Sequence, residues 1–110
     1  MKTVVGFAIA LVFVIAVGAV AQERTAQERT VTERGWRIFV AQGCHGCHTV
    51  GKVGTPLGPD LTHIGRRSSE ERLARWLADP EAVKPGAHMS ALELTPSDIK
   101  ALAAFLATLD

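Results

Sequence analysis

Two thiols and two imidazoles fall within one five-residue run, Cys44-His45-Gly46-Cys47-His48, and these are the two cysteines of the chain. A C-x-x-C-H spacing is the attachment sequence of a covalently held haem. The spacing has a mechanical reason. Two thiols three positions apart can add across the two vinyl groups on one edge of a porphyrin. The histidine directly after the second cysteine then lies beneath the iron and offers it a ring nitrogen. Two other chemistries use a C-x-x-C pair. A redox dithiol expects a βαβ context, which the surrounding residues do not supply. A structural zinc site needs four ligands, for which His45, His63 and His88 would have to be recruited. The side chain of His45, inside the motif, cannot reach an iron that His48 occupies, and it reads as an exposed position.

The elements that must hold this motif are helical. A helix is expected from near Thr32, with Trp36, Phe39, Val40 and Gly43 at helical spacing and Gly43 ending it just before the cysteines. From Thr49 to Arg67 the glycines and prolines at 51, 54, 56, 58, 59 and 65 leave no room for a regular element. A loop of that length inside a small domain is uncommon unless it wraps something. Ser68 and Glu71 form a capping box, and Leu73, Trp76 and Leu77 give the next helix its apolar face until Pro80 ends it. A second irregular stretch, Glu81 to Leu94, contains Pro85, Gly86 and Met89. The last helix has Thr95 as N-cap, Pro96 at its first position and Asp98 for a box-like pairing. Leu94 and Ile99 make a hydrophobic staple, and Leu102, Phe105, Leu106 and Leu109 form the buried side. No segment alternates in the manner of a strand. The fold class is all-α: three main helices joined by long loops.

Three regions are expected: 1–21, 22–31 and 32–110. Lys2 precedes an uncharged apolar run from Val4 to Ala21, closed by the small-residue pattern Ala19-Val20-Ala21. This is a secretory signal cut before Gln22, or a retained membrane anchor, since 18 apolar residues just span a bilayer. Either reading exports the rest of the chain, because Lys2 stays inside. The pentapeptide AQERT then occurs twice, at Ala21–Thr25 and Ala26–Thr30, and forms a polar, charged spacer. The remaining domain has only Trp36, Phe39, Trp76 and Phe105 as aromatics. A core that small calls for a staple such as a buried cofactor. The net charge is +1, and Arg66-Arg67 is the only adjacent basic pair. That balance excludes a nucleic-acid partner, which would bring a basic cluster.

From about Thr32 to Leu109 the chain resembles a class I c-type cytochrome, and the bacterial oxidase-linked members look closest. The likeness rests on C-x-x-C-H, on Gly35 with Phe39, on Leu102 with Phe105, and on Gly58-Pro59-Asp60-Leu61. It also rests on the run Trp76-Leu77, Asp79-Pro80, Lys84-Pro85-Gly86, Met89. The resemblance implies one haem c, bound through Cys44 and Cys47. It implies that Gly35 lets the terminal helix approach closely and that the carbonyl of Pro59 fixes the ring of His48. Trp76 would pack on the haem edge and donate its indole N–H to a propionate, and Arg66 and Arg67 would pair with propionates. Met89, the one methionine besides Met1, would be the sixth ligand, with His88 as its rival and His63 a weaker one. Ser90 stands where the family usually has proline, and Phe105 where it often has tyrosine.

The function implied is electron transfer between redox proteins, with no small-molecule substrate. No nucleophile has a base beside it, and no carboxylates pair in a cleft, so the chain is expected not to be an enzyme. The setting is periplasmic, soluble or anchored by the N-terminal segment. A membrane-tethered subunit of an oxidase, reductase or dehydrogenase complex is an alternative. A haem enzyme or gas sensor with an open sixth position is another.

Overall fold

The computed structural model describes residues 2–110, with side chains from residue 6 onward. The chain divides into two units, Met1–Thr30 and Val31–Asp110. Helix α1 covers Lys2–Ala41, so helix does not begin near Thr32 as the apolar spacing suggested. The reason is local. Between Gly18 and Gly35 there is no glycine or proline, and the AQERT repeats are mostly strong helix formers. Their threonines bond back to the helix, Thr25 Oγ1 to the carbonyl of Gln22 at 2.9 Å and Thr30 Oγ1 to that of Ala26 at 3.0 Å. In the first unit the apolar side chains from Phe7 to Val20 are exposed. Among the described residues, α1 is the one helix long and apolar enough to cross a membrane.

In the second unit, α1 stops at Ala41 and the chain turns through Gly43, whose φ of 69° is the left-handed conformation that glycine adopts without penalty. A single 3-10 turn, Cys44–Gly46, follows. The long loop expected after it holds two minimal strands, β1 (Thr49–Val50) and β2 (Val53–Gly54), paired antiparallel with Thr49 opposite Gly54. Two residues are too few for alternation to register in the sequence. A second 3-10 turn spans Ile64–Arg66.

Helix α2 (Glu70–Ala78) is capped by Ser69, which accepts from the backbone N–H of Arg72, and not by Ser68 with Glu71. The backbone N–H of Ser68 is already bonded to the Ile64 carbonyl at 3.0 Å, closing the preceding turn, so the cap falls one residue later. Pro80 does end α2, but it also begins a four-residue helix, α3 (Pro80–Val83). Asp79 serves both: held extended ahead of the proline, it gives its N–H to the Arg75 carbonyl and accepts from Ala82 N–H with its carboxylate at 3.1 Å. Among the described residues the all-α fold thus has its three main helices, α1, α2 and α4, with the single-turn α3 as a fourth. Helix α4 (Pro96–Ala107) has the full Thr95–Asp98 capping box. The hydroxyl of Thr95 holds the Asp98 carboxyl below its usual range, with Arg34 adding to the effect.

The core is small. Phe39, Leu73, Leu77, Ala101, Leu102, Ala103 and Leu106 are its buried apolar residues, with Pro80 enclosed beside them. Trp36 and Val40 are about half exposed, so of the apolar positions expected on α1 only Phe39 is fully buried. Helix α4 crosses α1 at Gly35. A β-carbon there would sit on the Ala101 carbonyl and 2.5 Å from Phe105 Cβ. The guanidinium of Arg34 clamps the same crossing, reaching Ser97 Oγ at 2.6 Å and the Asp98 carboxylate. Because the obstruction is backbone, Gly35→Ala should lower unfolding stability by about 2 kcal/mol or more, as overpacked cores do. Urea unfolding followed by helical circular dichroism checks this, and an unchanged midpoint would contradict it.

Candidate functional site

The 3-10 turn places the motif residues tightly. The Cys44 carbonyl accepts from the N–H of Cys47 at 3.2 Å and of His48 at 2.9 Å. Cys44 is half-buried and Cys47 exposed. Burial pushes the Cys44 thiol above its ordinary range, outweighing a hydrogen bond from its own backbone, and the nearby Cys47 adds to the rise. His45 is not an open surface position. Its ring meets Phe39 edge-on at 4.8 Å between centroids and lies 5.9 Å from Trp36. It tacks the turn to the end of α1, a contact for which the sequence carried no periodic signal.

His48 is held by the loop that follows. Its Nδ1 lies 2.8 Å from the carbonyl oxygen of Pro59. A carbonyl only accepts, so Nδ1 carries the proton and Nε2 keeps its lone pair. That is the tautomer a metal ligand needs, with the outer hydrogen bond fixing the plane of the ring. The Pro59 carbonyl is itself held in place. Gly58 N–H bonds to the Cys47 carbonyl at 2.5 Å and Leu61 N–H to the Thr49 carbonyl at 2.9 Å. Asp60 accepts from both the hydroxyl and the N–H of Thr62, and Thr62 Oγ1 accepts from Gly51 N–H at 2.8 Å. The Thr62 hydroxyl, then its N–H, keep the Asp60 carboxyl below the usual range. The Asp-x-Thr spacing is a recognisable turn signal, though its service to His48 is not visible without the fold. Gly58 packs on the imidazole, where a β-carbon would be 2.7 Å from Cε1.

Met89 lies half-buried against the core cluster, whereas His88 and His63 are exposed. Trp76, half-buried on α2, gives its indole N–H to Met89 Sδ at 3.2 Å. The two arginines also have protein partners: Arg66 Nε bonds the Asp110 carboxylate at 2.9 Å, and Arg67 Nη2 bonds the Asp60 carbonyl at 2.9 Å. Around the turn, Val53 and Leu57 stand 60% and 77% exposed. Among the described residues no three His, Cys, Asp or Glu side chains gather as a metal-binding group. A zinc reading therefore lacks its ligands, and the two short strands give a dithiol reading no βαβ unit.

Helices closing on a Cys-x-x-Cys-His turn, with the histidine's outer nitrogen bonded to a loop carbonyl, define a small haem-binding electron-transfer protein. The chain belongs to the cytochrome c family: the family described as "Cytochrome c" matches residues 32–110. Two relatives are named cytochrome c oxidase subunit 2. That of Alkalihalophilus pseudofirmus strain OF4 is 35% identical over 85 residues, covering 69% of this chain and 25% of the relative. That of Bacillus sp. strain PS3 is 36% identical over 87 residues, covering 62% of this chain and 23% of the relative. The chain thus spans about a quarter of the length of these curated relatives.

The family implies covalently bound haem c. The residues here suit such a group: an unprotonated Nε2 on His48, two thiols one turn apart, and apolar side chains at Val53 and Leu57 left for something to cover. Gly58→Ala would drive the imbalance between ring and loop, moving His48 off the Pro59 carbonyl. Losing a hydrogen bond of ordinary net strength, about 1 kcal/mol, should speed exchange of the Nδ1 proton roughly fivefold. Proton NMR measures that rate, and an unchanged rate would show that the ring tolerates the methyl group.

Proposed function

We propose that this chain carries one haem c, bonded through Cys44 and Cys47, and passes single electrons between redox proteins outside the cytoplasmic membrane. The observation that carries the reading is the His48 Nδ1–Pro59 bond, which presents Nε2 as a ligand on the turn that holds both thiols. Bound haem supplies an iron that gains and loses one electron. The protein's part is to hold and shield it. Cys44 and Cys47 would hold the porphyrin, and His48 would hold the iron through Nε2. Met89, half-buried next to the core, would supply a thioether ligand. The exposed apolar side chains of Val53 and Leu57 would shield the bound group from water. A thioether paired with an imidazole raises the potential relative to two imidazoles.

Intact mass should exceed the polypeptide by one haem, and the colour should survive acid–acetone extraction. Met89→Ala should abolish the weak far-red absorbance of a ferric iron–sulfur bond, open the iron to carbon monoxide and lower the midpoint potential. His88→Ala should do neither. Extractable haem, or a sulfur band lost only in His88→Ala, would sink the assignment.

A second reading concerns location. The apolar stretch of α1 and the naming of the relatives as oxidase subunits favour a membrane-tethered module that delivers electrons within a respiratory complex. If α1 is the tether, the expressed chain sediments with membranes, resists carbonate extraction and begins at Met1. A mature chain that begins at Gln22 and stays in the soluble fraction would leave a diffusible carrier.

A further inference from the structure

The indole of Trp76 faces a sulfur atom, and that contact has a use. We propose that Trp76 is a positioning residue for the axial thioether: its Nε1–H donates to one lone pair of Met89 Sδ, leaving the other directed to the iron. The inference rests on Met89 being the sixth ligand.

The two partners differ in how firmly they are held. Trp76 lies on α2 between the buried Leu73 and Leu77, so its backbone is held by a helix that is anchored in the core. Met89 lies in residues 87–95, which form no helix or strand. Its side chain has three rotatable bonds and a soft, adaptable sulfur. Ordering such a chain costs about 1.5–2 kcal/mol of rotamer freedom. A rigid donor at 3.2 Å restricts those rotamers before any ligand bond forms.

The chemistry matches as well. A buried indole N–H needs an acceptor and can only donate. A thioether has two lone pairs, so one bond to hydrogen does not consume its capacity as a ligand. Drawing electron density from the sulfur weakens its donation to ferric iron more than to ferrous iron. The bond therefore favours the reduced state and raises the potential. A single N–H cannot give this bond and a full bond to a haem propionate at once.

The test uses the full-length holoprotein. In its diamagnetic ferrous form, 15N-labelled tryptophan gives two indole N–H signals, and Trp36→Phe assigns them. The Trp76 indole proton should show a nuclear Overhauser contact to the Met89 methyl and should exchange slowly with solvent. In the ferric form, Trp76→Phe keeps the ring but removes the donor. It should lower the midpoint potential. An indole proton remote from the Met89 methyl overturns the inference, even if Trp76→Phe does not fold. So does a Trp76→Phe protein with unchanged potential. A wild-type protein with no sulfur band overturns the Met89 assignment itself, and this inference with it.

Discussion

The meeting of α1 with α4 at Gly35 is the constraint on which the domain depends. At that point helix lies on helix backbone, with no side chain of Gly35 between them and the Ala101 carbonyl in van der Waals reach. Close approach of this kind lets a very small core suffice. Phe39, one turn along α1 from Gly35, is fully enclosed with Leu102, Ala103 and Leu106 of α4 and with Leu73 and Leu77 of α2. Had the helices stood farther apart, seven buried apolar residues would not have filled the space between them. The Arg34 clamp and the Thr95–Asp98 box fix where α4 starts, and so which of its residues face the crossing.

From that frame the site is assembled by short-range bonds. The end of α1 delivers the thiol turn, and His45 pins the turn back onto Phe39. The loop from Thr49 to Thr62 returns beneath it through β1 and β2 and the Asp60–Thr62–Gly51 chain of hydrogen bonds. Its end result is one carbonyl oxygen, that of Pro59, held at hydrogen-bond distance from one ring nitrogen. Helix α2 supplies Trp76 and the stretch after α3 supplies Met89. The proposed ligands His48 and Met89 therefore both lie on irregular segments, not on helices. Such segments are unstable by themselves, and the exposed Val53 and Leu57 beside them indicate what a bound group would contribute to their order.

The family match and the geometry bear on different scales. Residues 32–110 place the domain in the cytochrome c family, and the oxidase-subunit relatives match 69% and 62% of this chain over about a quarter of their own length. Electron transfer by the domain is common to a diffusible carrier and to a module within a larger complex. What separates the two lies in the first unit, where α1 is apolar and exposed from Phe7 to Val20.

Sequence alone determined the chemistry and the type of each long element. Cys44-x-x-Cys47-His48 has the pattern for covalent attachment of the haem c that the family implies, because the spacing of thiols and imidazole must match a porphyrin edge and its iron, a requirement met within five residues. The Thr95-Pro96-x-Asp98 cap was equally legible, since every atom in it is local. The start of α1 and the cap of α2 were not. The AQERT repeats lack an apolar face and show only in propensity, and Ser68 was already spent on the Ile64 turn. Fold alone decided the partners. His45 on Phe39, the Trp76 indole on Met89 sulfur, Arg66 on Asp110 and Arg67 on Asp60 each join residues whose pairing depends on how helices and loops pack. A one-donor indole or a long arginine side chain has several acceptors within chain reach. Only the fixed positions of α2, α4 and the 49–67 loop select one of them.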